Sequence, residues 1–313
     1  MDAKKLLKEF EFAPTEVSKH ELVAWASLGL VGYIRGSFKP AWPNLLKVWD
    51  LIWSANYASG FTHARFWDEM EWRSLGSQSG DSIRAHLEAG AGERRFWRVE
   101  VVNRITAPDF SIEFGDLNRT LDPERSSFVR FRFPLDFAPQ RLFEIAKAVL
   151  DLPVWHGTAG YIFSAVETER DLAYDQLWTW ARRYWGFQVI DLHAGTWDAV
   201  DGLLGINWLT LLGKEFMSAK ELSPLSESDF SSRSVSLHRS EGGAIVKAGS
   251  SPIVGDLNLL EDISAYAAVA QTLSNGYVEE PTQFPGMFTD HQSTLAWIRR
   301  FTEPSKWIDP ELS

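Results

Sequence analysis

Forty-two acidic residues, seven histidines and fifteen tryptophans hold most of the chemistry this chain could perform, and no cysteine joins them. Paired carboxylates in a cleft could hydrolyse a glycosidic bond, one as acid and the other as nucleophile or base. Exposed indoles could stack on the sugar. With so many acidic residues such pairs arise by chance. Asp256 stands in a distinctive context, a Gly/Pro loop, where a carboxylate more naturally caps a turn or the following helix. The histidines, His20, His63, His86, His156, His193, His238 and His291, are scattered. None has the His-x-x-x-His or Glu-x-x-His spacing that sets two ligands on one helical face, so no metal site is expected. The neighbourhoods of His156 and His193 could still meet in space. Gly242-Gly243 lacks the Lys-Ser/Thr ending of a phosphate loop, and neither G-x-G-x-x-G after a strand nor G-x-S-x-G occurs. Without cysteine there is no thiolate nucleophile, zinc-thiolate site or disulfide, as suits a reducing compartment. No cofactor is expected.

The elements that must position these residues follow from hydrophobic periodicity. A strand, a polar or Pro-containing turn and an amphipathic helix recur three times. The first unit runs over residues 21–38, turns at Lys39-Pro40-Ala41-Trp42-Pro43 and continues as a helix from Asn44 to near Tyr57, with Trp49 and Trp53 one turn apart. The second is a strand at 126–137, then Ala138-Pro139 and a helix to near Leu150. The third is a strand at 244–248, a Gly/Pro loop, and a helix predicted over 258–273. Further strands are predicted at 99–102, 110–114 and 160–166, and a helix at 172–184. Interleaved strands and helices make the fold class α+β, with mixed, mainly antiparallel sheet layers packed against amphipathic helices. A single domain over 1–313 is expected. The Gly- and Ser-containing stretches 74–92 and 223–234 read as exposed loops. Residues 279–313, with Pro281, Pro285, Pro304 and Pro310 around a helical stretch at 291–301, read as a packed C-terminal extension. Most tryptophans, including Trp178, Trp180 and Trp185 beside an apolar stripe, are expected in the core.

The 45% apolar and 23% charged fractions are ordinary for a folded soluble chain. A net charge of -11, from 31 Lys plus Arg against 42 Asp plus Glu, argues against a nucleic-acid ligand, because phosphates need cationic partners. An acidic surface suits a basic partner, or serves solubility alone. Lysines near the start are followed by Glu11 and Glu16, where an export signal needs a continuous apolar stretch. The most apolar window, 22–34, is about a dozen residues long and falls short of the roughly 20 that span a bilayer. It reads as a buried strand, and the chain as cytoplasmic with no membrane partner.

Composition does not explain two segments, Gly205-Ile206-Asn207-Trp208-Leu209-Thr210-Leu211-Leu212-Gly213 and Ala248-Gly249-Ser250-Ser251-Pro252-Ile253-Val254-Gly255-Asp256-Leu257-Asn258. Preceded by Gly157-Thr158-Ala159-Gly160-Tyr161-Ile162-Phe163-Ser164, they resemble in order and spacing a bacterial type VI secretion immunity family, first described as a domain of unknown function. The resemblance covers residues 20–278 and continues in Asp262, Tyr266 and Val269, which match the family's Asp-x-x-x-Tyr-x-x-Val pattern. It departs after Gly213, where the family often has a Gly-Gly pair and this chain reads Lys214-Glu215-Phe216-Met217-Ser218-Ala219-Lys220.

The resemblance implies a protein that protects its producer by binding a cognate type VI effector toxin, and the family's partners include nucleases. A nuclease groove is cationic, so an acidic inhibitor could cover it. Within the family motifs Gly160, Gly205, Trp208, Gly213, Gly249, Pro252, Gly255, Asp256 and Tyr266 read as makers of the fold. Toxin contact is expected at acidic positions in exposed, loop-like surroundings: Asp198, Asp201, Glu227, Asp229 and Glu241. The function expected is neutralisation of a nuclease effector by binding, without catalysis, with a homo-oligomer possible. An alternative from another class, a Trp-rich carbohydrate-active enzyme or sugar-binding protein, predicts an open cleft with several exposed tryptophans and a carboxylate pair.

Overall fold

In the computed structural model, which describes residues 10–13, 22–37, 41–54, 60–66, 71–75, 83–85, 87–88, 97–116, 124–166 and 169–309, the apolar run of 22–34 lies at the centre of a twelve-stranded sheet. β1 (Glu11–Phe12) pairs with β2 (Ala24–Ile34), every residue of which is buried. One half of the sheet is built by β3 (His63–Phe66), β4 (Arg73–Ser74), β5 (Trp97–Val102), β6 (Ser111–Asp116) and β7 (Ser127–Phe133). The other half is built by β8 (Val154–Ala165), β9 (Gln188–Val189), β10 (Leu209–Gly213), β11 (Val235–Ser240) and β12 (Gly243–Ala248). The order is β11-β12-β10-β8-β2-β7-β6-β5-β3-β4, with β1 on β2 and β9 on β8. Among the pairings between the described strands only the short β8–β9 one is parallel. The fold is therefore the mainly antiparallel α+β class that the periodicity predicts.

Successive side chains of a strand point to opposite faces, so β2 serves two cores. Ala24, Ala26, Leu28, Leu30 and Ile34 enter the main core. Val31 and Tyr33 enter a smaller one with Phe128, Ile162, Ile190 and Ala199. Burial on both faces is why this strand reads as an unbroken apolar run.

Helices α1 (Trp42–Ser54) and α2 (Pro139–Leu150) cover the main core. α1 buries Leu45, Val48, Trp49 and Ile52, and α2 buries Leu142, Ile145, Ala146 and Val149, each an i, i+3, i+4, i+7 stripe. α3 (Arg170–Arg183) packs Trp180 on Phe163 of β8, with ring centroids 5.3 Å apart. α4 (Leu192–Asp198), α5 (Lys214–Ala219), α6 (Ser264–Thr272), α7 (His291–Ile298) and α8 (Pro304–Ile308) follow. The stretch after Gly213, where the chain departs from the family pattern, is α5.

The helix predicted over 258–273 is broken in two. A 3-10 turn at Leu257–Leu259 ends at Leu260, whose backbone is left-handed, and α6 begins only at Ser264. The stretch 223–234 is not a free loop, because Leu225 and Phe230 are buried and pin it to the core. Residues 281–308 send Phe284, Phe288, Trp297 and Trp307 into the main core. There the fully buried Arg300 donates to the carbonyls of Trp185 and Phe187. None of the tryptophans whose burial is described is exposed. The N-terminal residues 1–9, His20, Lys39-Pro40, Tyr57, His86, Pro310 and most of 74–92 lie outside the described residues.

Candidate functional site

A row of charge crosses the sheet. The registers Arg65↔Glu100, Glu100↔Glu113, Glu113↔Arg130 and Arg130↔Val31 place these side chains on the face that Val31 shares. Arg130 Nε donates to Glu113 at 2.7 Å and Arg65 to Glu100 at 2.7 Å, while Arg98 pairs with both carboxylates. Burial works to raise the Glu113 carboxyl, but Arg130, Arg98 and Arg132 outweigh it and hold it at about 2. Glu113 is thus ionised at neutral pH and cannot serve as the general acid of a carboxylate pair with Glu100. Arg132, buried over the ring of Trp25, is pushed down to about 9, first by burial and then by Arg130.

A second polar group surrounds a cavity of about 20 Å³, lined in part by Tyr33, His156, Thr158, Asp191 and Asp198. That is room for about one water molecule and too little for a sugar or nucleotide. His156 bonds the Ala199 carbonyl at 3.0 Å, and burial lowers its ring to about 4 against the opposing pull of the Ala199 and Gly202 carbonyls. The ring is therefore neutral at pH 7. Asp191 caps α4 by accepting from the His193 and Ala194 N–H groups, and also takes Tyr174 Oη at 2.8 Å and Arg170. Because α4 carries the exposed His193 and ends beside His156, the two histidine neighbourhoods do converge. Among the described residues no group of three or more His, Asp or Glu is arranged to hold a metal.

The five acidic positions chosen from sequence fall in three places. Asp198 corrects its choice as an exposed loop residue: it ends α4, is 7% exposed, and accepts from Thr282 N at 2.8 Å and Thr282 Oγ1 at 2.6 Å. Burial raises its carboxyl against those bonds. Asp201 is exposed nearby. Glu227 and Asp229 are exposed yet occupied. Glu227 Oε1 accepts the Leu237 N–H of the edge strand β11 at 2.9 Å, and Asp229 closes a capping box on Ser226. Glu241 is exposed at the β11–β12 turn.

The motif residues converge around Trp208, whose Nε1 donates to the Gly249 carbonyl at 3.1 Å. Gly160 lies against the Asn207 amide, which bridges Tyr161 O at 2.8 Å and Trp208 N at 2.7 Å. Gly205 faces Gln188, Gly213 abuts the Val154 carbonyl, Pro252 is buried, and Tyr266 Oη accepts from Ile253 N. Gly255 has φ 67°, and a Cβ there would sit 2.4 Å from Gly186 N, so only glycine fits. It delivers the buried Asp256 to Arg183 and to Asn258 N, which Asp256 caps at 3.0 Å. Glu261 Oε2 accepts from Gly255 N at 2.7 Å and Asp256 N at 3.0 Å. Between these anchors the turn lifts Leu259 and Leu260 into solvent. The helix predicted over 258–273 includes both leucines. The available signal against that reading is the carboxylate pair, Asp256 and Glu261, bracketing the turn.

Residues 58–301 match a family model described as TsiV, type VI immunity for VRR-NUC. Among solved structures the chain is similar to the Pseudomonas aeruginosa T6SS protein PA0821, with 17% sequence identity and a TM-score of 0.77 over 99% of this chain and 94% of that one. At that identity the likeness is one of fold. No curated protein matches the sequence.

Proposed function

The chain belongs to the TsiV family of type VI immunity proteins for VRR-NUC, and from that premise we propose that it binds and neutralises a cognate VRR-NUC nuclease effector. The observation that carries this reading is the family match, which spans every element from β3 to α7. A nuclease holds phosphates in a cationic groove, and a partner of net charge -11 is drawn to it over long range. The exposed acids Asp201, Glu227, Asp229 and Glu241 set the rate and orientation of encounter, while apolar anchors supply affinity.

The protein acts by covering its partner, without a chemical step. Glu113, Asp191, Asp198 and Asp256 are each spent on internal bonds, and His156 is bonded within the fold. The sugar-active alternative requires exposed tryptophans, and among the tryptophans whose burial is described none is exposed. Because the nuclease attacks the cell's own nucleic acid, the place of action is the cytoplasm.

The test is survival of cells expressing the neighbouring nuclease effector with and without this protein, followed by co-purification. Rescue with a stable complex is expected. Neither rescue nor complex, with a toxin shown to be expressed and lethal, overturns the reading. The association rate is expected to fall on the order of tenfold between about 50 and 500 mM salt. A rate that ignores salt removes electrostatic steering.

A further inference from the structure

We propose that the Leu259–Leu260 turn is the apolar anchor that seats this protein on its nuclease partner, an inference that rests on the proposed function. The two leucines are 67% and 90% exposed, more than any other large apolar side chain described. Water disfavours that display, and the left-handed backbone of Leu260, φ 51° and ψ 39°, disfavours any residue with a Cβ. Both features persist because the surroundings over-determine the turn. Arg183 holds Asp256 from below, Asp256 caps Asn258, and Glu261 takes the N–H groups of Gly255 and Asp256. Leu260 N closes the turn on the Leu257 carbonyl at 3.1 Å. A strained but tightly held surface turn is where recognition is found. Leucines fixed in advance lose little freedom on docking and can fill a pocket in the partner.

The surroundings fit a basic protein rather than a sugar or nucleic acid. Glu261 and the exposed Asp262 follow the leucines directly. Arg182, beside Arg183 in the last turn of α3, binds the carbonyls of Trp307 and Ile308. The half-exposed Ile308 and the exposed Asp309 are thereby tied to the same helix end as the leucine turn. Both arginines there are engaged internally. Apolar anchors edged with carboxylates complement a cationic protein surface.

The experiment titrates the full-length protein with the purified VRR-NUC nuclease. A Leu259→Ser/Leu260→Ser double variant is expected to keep its Tm, since both side chains are in water, and to bind at least about 30-fold more weakly, about 2 kcal/mol at 1.4 kcal/mol per tenfold. Leu260→Gly relaxes the backbone and is expected to raise Tm while weakening binding. Met287→Ser, which removes an exposed apolar side chain elsewhere, is expected to change nothing. Wild-type affinity in the double variant overturns the anchor and leaves the immunity reading standing. If the unaltered protein fails to bind the nuclease, the immunity reading falls and the anchor with it. Loss of a wild-type dimer in the double variant, with nuclease affinity intact, makes the turn a self-association contact and overturns the proposal.

Discussion

Arg183 grips both oxygens of Asp256, Nε to Oδ1 at 2.9 Å and Nη2 to Oδ2 at 2.7 Å, with the carboxylate side chain 1% exposed and the guanidinium 38%. The pair joins the end of α3 to the turn that follows Gly255, two elements 73 residues apart in the chain.

Asp256→Asn keeps the shape and removes the charge. Hydrogen bonds to charged groups contribute about 1.5–3 kcal/mol, so a loss of about 2 kcal/mol is expected in urea unfolding at pH 7. The Arg183 hydrogen bond lowers the Asp256 carboxyl. Its stabilisation is therefore present above the ordinary carboxylate range and lost as pH falls below it. The variant should lose that part of the acid dependence. An unchanged unfolding midpoint at pH 7 would show that the turn is held by Glu261 alone.

His156 carries a second pH dependence with a different window. Its ring is lowered from 6.5 to about 4, so the folded state resists protonation that the unfolded state accepts. Stability is full above pH 6.5 and declines as pH falls towards 4, by up to about 3 kcal/mol. The groups near it are Tyr33, Asp191, Asp198 and Lys220, and the raised Asp198 carboxyl works in the opposite direction at the acid end. The His156 contribution is therefore followed downwards from pH 6.5, against that opposing change. His156→Gln, which keeps a donor for the Ala199 carbonyl, should flatten the stability profile there, as read from denaturant midpoints at half-unit steps.

Periodicity makes β2, α1 and α2 legible because their apolar stripes are local facts of the sequence. The break at Leu260 is not local: it depends on Glu261 folding back onto the backbone and on Arg183, 73 positions before Asp256. The charged row is half legible. The alternation Val129, Arg130, Phe131, Arg132, Phe133 announces a strand with a polar face, which ordinarily means a solvated one. Only the registers to β5 and β6 show that Glu100 and Glu113 meet those arginines in the interior. Asp198 fails as an exposed position for the same reason, since its partner Thr282 lies 84 residues away.

Glu227→Ala tests whether this acid guards an edge. β11 ends the sheet, and its outward Leu237 N–H is taken by Glu227, while Arg239 covers the Ser223 and Leu225 carbonyls. Edge strands with free backbone groups template pairing with other chains. The variant should show concentration-dependent self-association by light scattering where the wild-type protein shows less. Equal scattering would mean that Arg239 and the 222–230 segment suffice to blunt the edge.

Glu113→Gln bears on the row that crosses the sheet. Removing one member of a buried ion pair leaves charge without compensation, and such changes cost about 3–5 kcal/mol. Here Arg130 would lose the Glu113 carboxylate, Arg98 would lose one of the two carboxylates it pairs with, and Arg132 lies close by. The Glu113 carboxyl is lowered from 4.5 to about 2, a difference worth about 3 kcal/mol. That stabilisation is fully present above pH 4.5 and disappears as pH falls through 2. Unfolding at pH 7 and pH 3 separates the two claims. The wild-type protein should lose stability between those pH values, and the variant, already weakened at pH 7, should lose less. A cost below about 1 kcal/mol at pH 7 would show that the desolvation of these charges nearly cancels their attraction. The row would then serve to fix strand register, since a one-residue slip of β6 would set Ile112 or Phe114 against Arg130.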